Sequence, residues 1–343
     1  MPRPTLRSSV ARLGLLLGAV ALTSCAAEAG FTPQALPPVV SETIPPYAAD
    51  ADVSPGRTAL TLVPADAETI TITDFDASRA ALGMPDLTSQ DPMSDRSDYW
   101  ERARRETVLL TEGMLRADNS RLALDYGFTQ DDVDWEARFT TPEGAGWILG
   151  FRPDLDLAPV RRAIEDRVAG LAGAEVDAGR NLVSVGAVAE DEESWADHEG
   201  IFELTAEAPA ESTYYRAGCV PLGSALGPDA GVQDQDAVLA GQDPTDLDPL
   251  ARFALSFDDG LATARLGPGR LDLFERADLA KAFPEVGPLG FGDALVDPVA
   301  DPSTGRIGYT VRESVAAASV ALTDLLPFAV CNEVTPMEEP TGL

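Results

Sequence analysis

Polar and apolar positions alternate through "AETITITDFDASRAALG", residues 67–83, and this predicts a half-buried strand at Thr69–Thr73. A short helix from Asp76 to Leu82 should follow, with Asp74 or Asp76 as its cap and Gly83 ending it. In "SDYWERARRETVLLTEGMLR" the residues Trp100, Ala103, Thr107, Leu110 and Met114 recur at helical spacing, which predicts one long helix with a single core stripe. "VDWEARFTTPEGAGWILGF" reads as two strands around a Pro-Glu-Gly turn. "DLDLAPVRRAIEDRVAGLAG" predicts a helix capped by Asp156, with Val160, Ile164, Val168 and Leu171 on one face. "AEVDAGRNLVSVG" reads as a hairpin turning at Ala178-Gly179.

The second half restates this order. "AESTYYRAGCVPLGSALG" (210–227) parallels residues 67–83, running from Ala-Glu through a strand to Ala-Leu-Gly. "LARFALSFDDGLATARLG" (250–267) parallels "EARFTTPEGAGWILGF" (136–151), each with Ala-Arg-Phe, an acidic-Gly turn and a returning strand. "GRIGYTVRESVAAASVALTDLL" predicts a strand and then a helix with Val315, Leu322 and Leu325 inward, and "PFAVCNEV" a last strand. Helices interspersed with hairpins give an α+β fold of mainly antiparallel sheets covered by helices. The strand "GWILGF" feeding a helix and then a hairpin fits a ferredoxin-like unit, so two degenerate pseudo-repeats are expected. They would span residues 58–208 and 209–334, as one body or two.

Charge narrows the partners. The chain has 57 acidic and 25 basic residues and a net charge of −32. A basic nucleic-acid surface is excluded, because phosphate binding needs clustered Lys and Arg. Lys281 is the single lysine, and the excess of Ala, Asp and Gly has the look of a high-GC coding bias. The acidity implies a soluble, self-repelling exterior.

The N-terminus carries an address. Arg3, Arg7 and Arg12 precede an apolar run, Leu13–Leu22, too short to span a bilayer. Leu22-Thr23-Ser24-Cys25 follows. This stretch resembles the lipobox of bacterial, actinobacterial-like lipoproteins. The resemblance implies cleavage between Ser24 and Cys25, a diacylglyceryl group on the Cys25 sulfur, and a site on the extracytoplasmic face of the cell membrane. Residues 1–24 would be the signal peptide. Residues 25–57 would be the lipidated cysteine and a Pro-rich tether, of which 26–47 could reach roughly 70 Å if extended. Residues 335–343 read as a disordered acidic tail. Outside the cytoplasm, the two remaining cysteines, Cys219 and Cys331, are expected to pair as a disulfide.

Candidate chemistry is sparse. Asp132, Asp134, Glu136 and Glu143 match positions 1, 3, 5 and 12 of a calcium loop, but Ala137 stands where its sharp turn needs Gly. Their alternation with Val133, Trp135 and Phe139 favours the solvated face of a strand. Asp91/Asp95/Asp98, Asp234/Asp236 and Asp243/Asp246/Asp248 sit where Asp caps turns. His198, the one histidine, lies in an acidic loop and is expected to be exposed. Ser224 lacks the Gly-x-Ser-x-Gly context of a nucleophile elbow. No cofactor motif is present. The expected function is a non-catalytic envelope module that binds or scaffolds. One alternative is a carrier or receptor for a small ligand or lipid, with an apolar pocket. The other is an envelope hydrolase using paired carboxylates.

Overall fold

Thr69–Asp74 forms the strand that the alternation predicts, β1, near the middle of a ten-stranded sheet. The structure is a computed structural model that describes residues 42–49, 53–189, 191–206, 209–284 and 289–337. The first half runs α1 (Pro55–Thr58), β1, α2 (Phe75–Ala81), α3 (Met93–Glu106), α4 (Asn119–Asp125), β2 (Val133–Thr141) and β3 (Gly144–Phe151). It continues through α5 (Ala158–Glu165), β4 (Glu175–Asp177), β5 (Leu182–Val185) and α6 (Ile201–Leu204). The second half runs β6 (Ser212–Ala217), α7 (Leu222–Leu226), α8 (Val232–Gly241), β7 (Arg252–Asp258) and β8 (Leu261–Arg265). Then come α9 (Leu273–Leu279), α10 (Phe291–Ala294), β9 (Leu295–Asp301), β10 (Arg306–Val311) and α11 (Ser314–Leu322).

The sheet order is β4-β5-β3-β2-β1-β6-β7-β8-β10-β9, and all its pairings are antiparallel. Read outward from the centre, β1-β2-β3-β5-β4 and β6-β7-β8-β10-β9 are the same order. The fold is α+β, and its two halves repeat one topology within one continuous sheet. In each half the outer three strands form a split β-α-β: β3 crosses by α5 to the edge strand β4, and β5 returns between them. That part is ferredoxin-like. The inner part departs from it, because β1 pairs directly with β2 although helices connect them.

The Ala-Arg-Phe match is out of register. Phe139 pairs with Ile70, Ile70 with Tyr215, and Tyr215 with Ala254. Phe139 and Ala254 therefore share one face, and Phe253, the next residue, points to the other. The buried clusters agree. Ile70, Ile72, Trp135, Phe139, Tyr215 and Ala254 pack on the first face, and Tyr214, Phe253, Leu255 and Phe257 on the second.

Several expected boundaries move. The packed unit begins at Glu42, inside the stretch read as tether. Ile44 and Tyr47 are core residues, and Trp135 Nε1 donates to the Tyr47 hydroxyl at 3.1 Å. Residues 335–337, in the stretch read as tail, are held to α8. Gln235 Nε2 donates to the Thr335 carbonyl at 3.0 Å, and Gln235 Oε1 accepts the Met337 N–H at 2.9 Å.

The long helix expected through Met114 stops at Glu106. Residues 107–115 instead strap across the sheet. A buried strap must satisfy its backbone donors, and side chains from distant elements do so here. Glu211 and Ser212 accept the N–H groups of Val108 and Leu110. Thr73, Glu136 and Gln130 accept those of Thr111, Met114 and Leu115, each at 2.9 Å. Helix α5 ends at Glu165, so Val168 and Leu171 reach the core from the turn beyond it, where Arg167 takes a positive φ. On α11 the buried residues are Ala316, Ala317, Val320 and Ala321, whereas Val315 and Leu322 are exposed. "PFAVCNEV" forms a single turn and one parallel bridge, Val220 to Val330, instead of a strand.

Candidate functional site

Tyr309 lies on the helix-covered face of β10 and is only 3% exposed. Phe291, the first residue of α10, meets its ring edge-on at 5.7 Å, and Phe328 packs against both. Beside this aromatic group is a pocket of about 460 Å³. Phe283, Phe291, Leu295 and Tyr309 give it apolar walls. Burial pushes the Tyr309 phenol far above its ordinary range, and its hydroxyl has no hydrogen-bond partner among the described residues. Tyr309 lines the pocket, and its hydroxyl is free to donate to an acceptor there.

The mouth is charged. Lys281 and Arg312 line the pocket with exposed side chains, and Asp293 lies among them. Lys281 Nζ pairs with Asp278 at 2.6 Å, but both are exposed, and such a pair holds a lysine weakly. Among the described residues, Arg312 Nη1 donates only to the Gly292 carbonyl, at 3.3 Å. A pocket with an apolar wall, one free hydroxyl donor and two cations beside Asp293 suits a small amphiphile with an anionic end. The corresponding crossover of the first half carries a buried apolar cluster. Val160, Ala163, Val168, Leu171 and Val183 fill it without exposure.

A second cleft, of about 660 Å³, gathers Tyr47, Asp74, Asp76, Asp134 and Trp135. Burial drives Asp74 up to about 7 and Asp134 up to about 6. These carboxyls already have structural work. Asp74 Oδ1 caps α2 by accepting the Ala77 N–H at 2.9 Å. Asp134 and Asp76 hold the buried Arg79 guanidinium at 2.6 and 3.4 Å. Both raised carboxyls of this cleft are therefore tied to capping and charge neutralisation.

No protein-family model matches the chain, and no curated protein matches it. Among solved structures it is similar to crystal form I of TP0453, at 7% identity, with a TM-score of 0.31, over 78% of this chain and 97% of that one. Crystal form III of TP0453 gives 10% identity, a TM-score of 0.32, and coverage of 78% and 98%. Likeness this loose carries no argument about function.

The residues singled out from the sequence are dispersed. Ser24 and Cys25 lie outside the described residues. Cys219 and Cys331 form a disulfide, with their Cα atoms 4.9 Å apart. The four residues of the calcium match do not converge. Asp132 accepts the N–H groups of Thr129 and Ser89, and Asp134 pairs with Arg79. Glu136 is buried beneath the strap against Arg138, and Glu143 is exposed in the β2–β3 turn. Among the described residues no group of three or more His, Cys, Asp or Glu could hold a metal. Asp91, Asp234, Asp243 and Asp248 accept backbone N–H groups in their own loops or the next. His198 is half-buried, not exposed. Arg252 Nη2 donates to its Nδ1 at 3.0 Å, so its Nε2–H donates to the Ala65 carbonyl at 2.7 Å. Ser224 sits exposed on α7.

Tyr309, Arg312 and Phe291 were missed. They come from three elements, and none stands out in its own segment. The lone lysine was a signal, since Lys281 stands at the pocket mouth.

Proposed function

We propose that the chain is a lipid-anchored extracytoplasmic receptor or carrier module for a small amphiphile with an anionic end. The observation that carries this reading is the unpartnered Tyr309 hydroxyl inside an apolar-walled pocket with Lys281 and Arg312 at its mouth. Of the readings open to the sequence, the small-ligand one gains most from that pocket. Its volume lies in the range of small-molecule sites. The module is non-catalytic in this proposal, and the raised carboxyls Asp74 and Asp134 serve α2 and Arg79.

The lipobox supports the anchor: Cys25 is diacylated through its sulfur and becomes the new N-terminus after cleavage at Ser24-Cys25. Two acyl chains hold a protein stably at a membrane. Cys25→Ala should then release the protein into the soluble fraction, and unchanged membrane association would refute the anchor. For the pocket, native mass spectrometry of protein from an exporting host should show a discrete extra mass that denaturation releases. Displacement of a fluorescent fatty-acid probe gives the second readout. Tyr309→Phe should weaken probe binding, and equal binding by that variant would defeat the reading.

A further inference from the structure

We infer that the groove along α3 is a second, separate binding site, for the phosphate group of a small phosphoester. The groove is about 570 Å³ and is lined by Arg96, Trp100, Arg104, Arg105 and Arg116. Four guanidinium groups in one groove need a reason in a chain with 57 acidic and 25 basic residues. Arg96, Trp100 and Arg104 recur every four residues and so lie on one face of α3.

The local carboxylates do not satisfy these cations. Asp131 is used by Arg96 Nη1 at 3.1 Å and by Trp100 Nε1 at 2.8 Å. Glu101 is used by Arg105 at 3.2 Å. Among the described residues the Glu112 carboxylate is left for both Arg104 and Arg116, at 3.6 and 3.8 Å, too long for direct hydrogen bonds, although Arg116 Nη1 also donates to the Glu112 carbonyl at 3.1 Å. Arg96 Nε is buried without a partner. The Arg116 guanidinium lies over the Trp100 ring at 4.3 Å, which fixes its plane. Arg104 and Arg116 therefore form a held pair of cations short of one anion. Paired guanidiniums match the oxygens of a phosphate by parallel hydrogen bonds.

The ligand is a phosphate group, carried either on a free small molecule or on a phospholipid headgroup. Isothermal titration calorimetry on the full chain, purified in detergent as its host processes it, separates the two sources. Inorganic phosphate and the monoester glycerol 3-phosphate probe a free phosphate, and glycerophosphoglycerol probes the diester headgroup. Saturable binding of either class is expected. Tighter monoester binding assigns a free phosphate, and tighter diester binding assigns a headgroup.

Arg104→Gln alters a half-exposed side chain and should weaken binding about tenfold. Arg116→Lys keeps the charge, loses the planar fork and should also weaken it. Glu112→Gln removes the competing carboxylate and should tighten binding several-fold, which a purely structural Glu112 would not do. Ala280→Phe, in the Tyr309 pocket, should leave phosphate binding unchanged, so the two sites can fail separately. Absence of heat with all three probes overturns the inference, and so does equal affinity in Arg104→Gln.

Discussion

Arg276 Nε donates to Asp272 Oδ2 at 2.6 Å, and both side chains are buried. The same guanidinium donates to the carbonyls of Phe328 and Val330, each at 2.9 Å, and to that of Asp248 at 2.8 Å. Arg270 donates to both oxygens of Asp272, Nε to Oδ1 at 2.9 Å and Nη2 to Oδ2 at 2.7 Å. One carboxylate and two arginines thus pin α9, the 248–249 loop and the segment before Cys331 together. Arg276→Met should cost about 3–5 kcal/mol, because it breaks a buried pair and strands three carbonyls. The fall in the urea midpoint measures this; a loss under 1 kcal/mol would mean that water replaces the guanidinium.

The disulfide acts on the same segment from the other end. Cys219 and Cys331 are 112 residues apart in sequence. Closing a loop that long restricts the unfolded chain, and a typical gain is about 2–4 kcal/mol. Thermal unfolding with and without reductant should show the reduced protein melting well below the oxidised one. Coincident melts would show that the Arg276 contacts alone hold the C-terminal segment.

How much of this was legible follows from the range of each signal. Period-two alternation placed β1, β2 and β3, because a strand's pattern is local. Repeated strand order was visible in outline, but Phe139 and Phe253 were aligned across an odd slip, which turns a strand over. Helix α11 defeated face assignment because alanine fills its buried side, leaving Val315 and Leu322 as misleading markers. The strap from 107 to 115 imitated a helix because its donors go to Thr73, Gln130, Glu136, Glu211 and Ser212, partners that no local pattern encodes. The pocket was illegible for a related reason: its walls come from segments spread over residues 277–312.

Burial of acids gives the chain a pH profile with a definite sign. Burial raises Asp74 to about 7, Asp134 to about 6 and Glu211 to about 7. A raised carboxyl binds its proton more tightly in the folded state. Its stabilising share is complete below the unfolded value near 4 and is lost as pH rises through 6 to 7. Asp272 runs the other way. Burial raises it, but its bonds to Arg270 and the Arg276 charge outweigh that and hold it low, so its share is lost only in acid. Stability should therefore peak near pH 5 and fall toward pH 8. Asp74→Asn keeps an acceptor for the Ala77 N–H and should flatten that fall by on the order of 2 kcal/mol. Denaturant midpoints at pH 5 and pH 8 decide it; parallel slopes in both proteins would remove Asp74 from the account.

Filling the pocket tests its use without touching the buried core. Ala280 lines the chamber just after α9 and is half-buried. A phenyl group there would occupy space that the ligand's apolar body needs, so Ala280→Phe should lower amphiphile affinity about tenfold or more. The added apolar surface should leave the melting temperature unchanged or slightly higher. Arg312→Gln makes the complementary test at the mouth, since the loss of a cation should weaken an anionic amphiphile and spare a neutral one of equal length. If Ala280→Phe melts normally and still binds the probe as the parent does, the ligand does not enter beside Tyr309. If Arg312→Gln weakens both probes equally, the head is not read by charge, and the Tyr309 hydroxyl alone would have to select it.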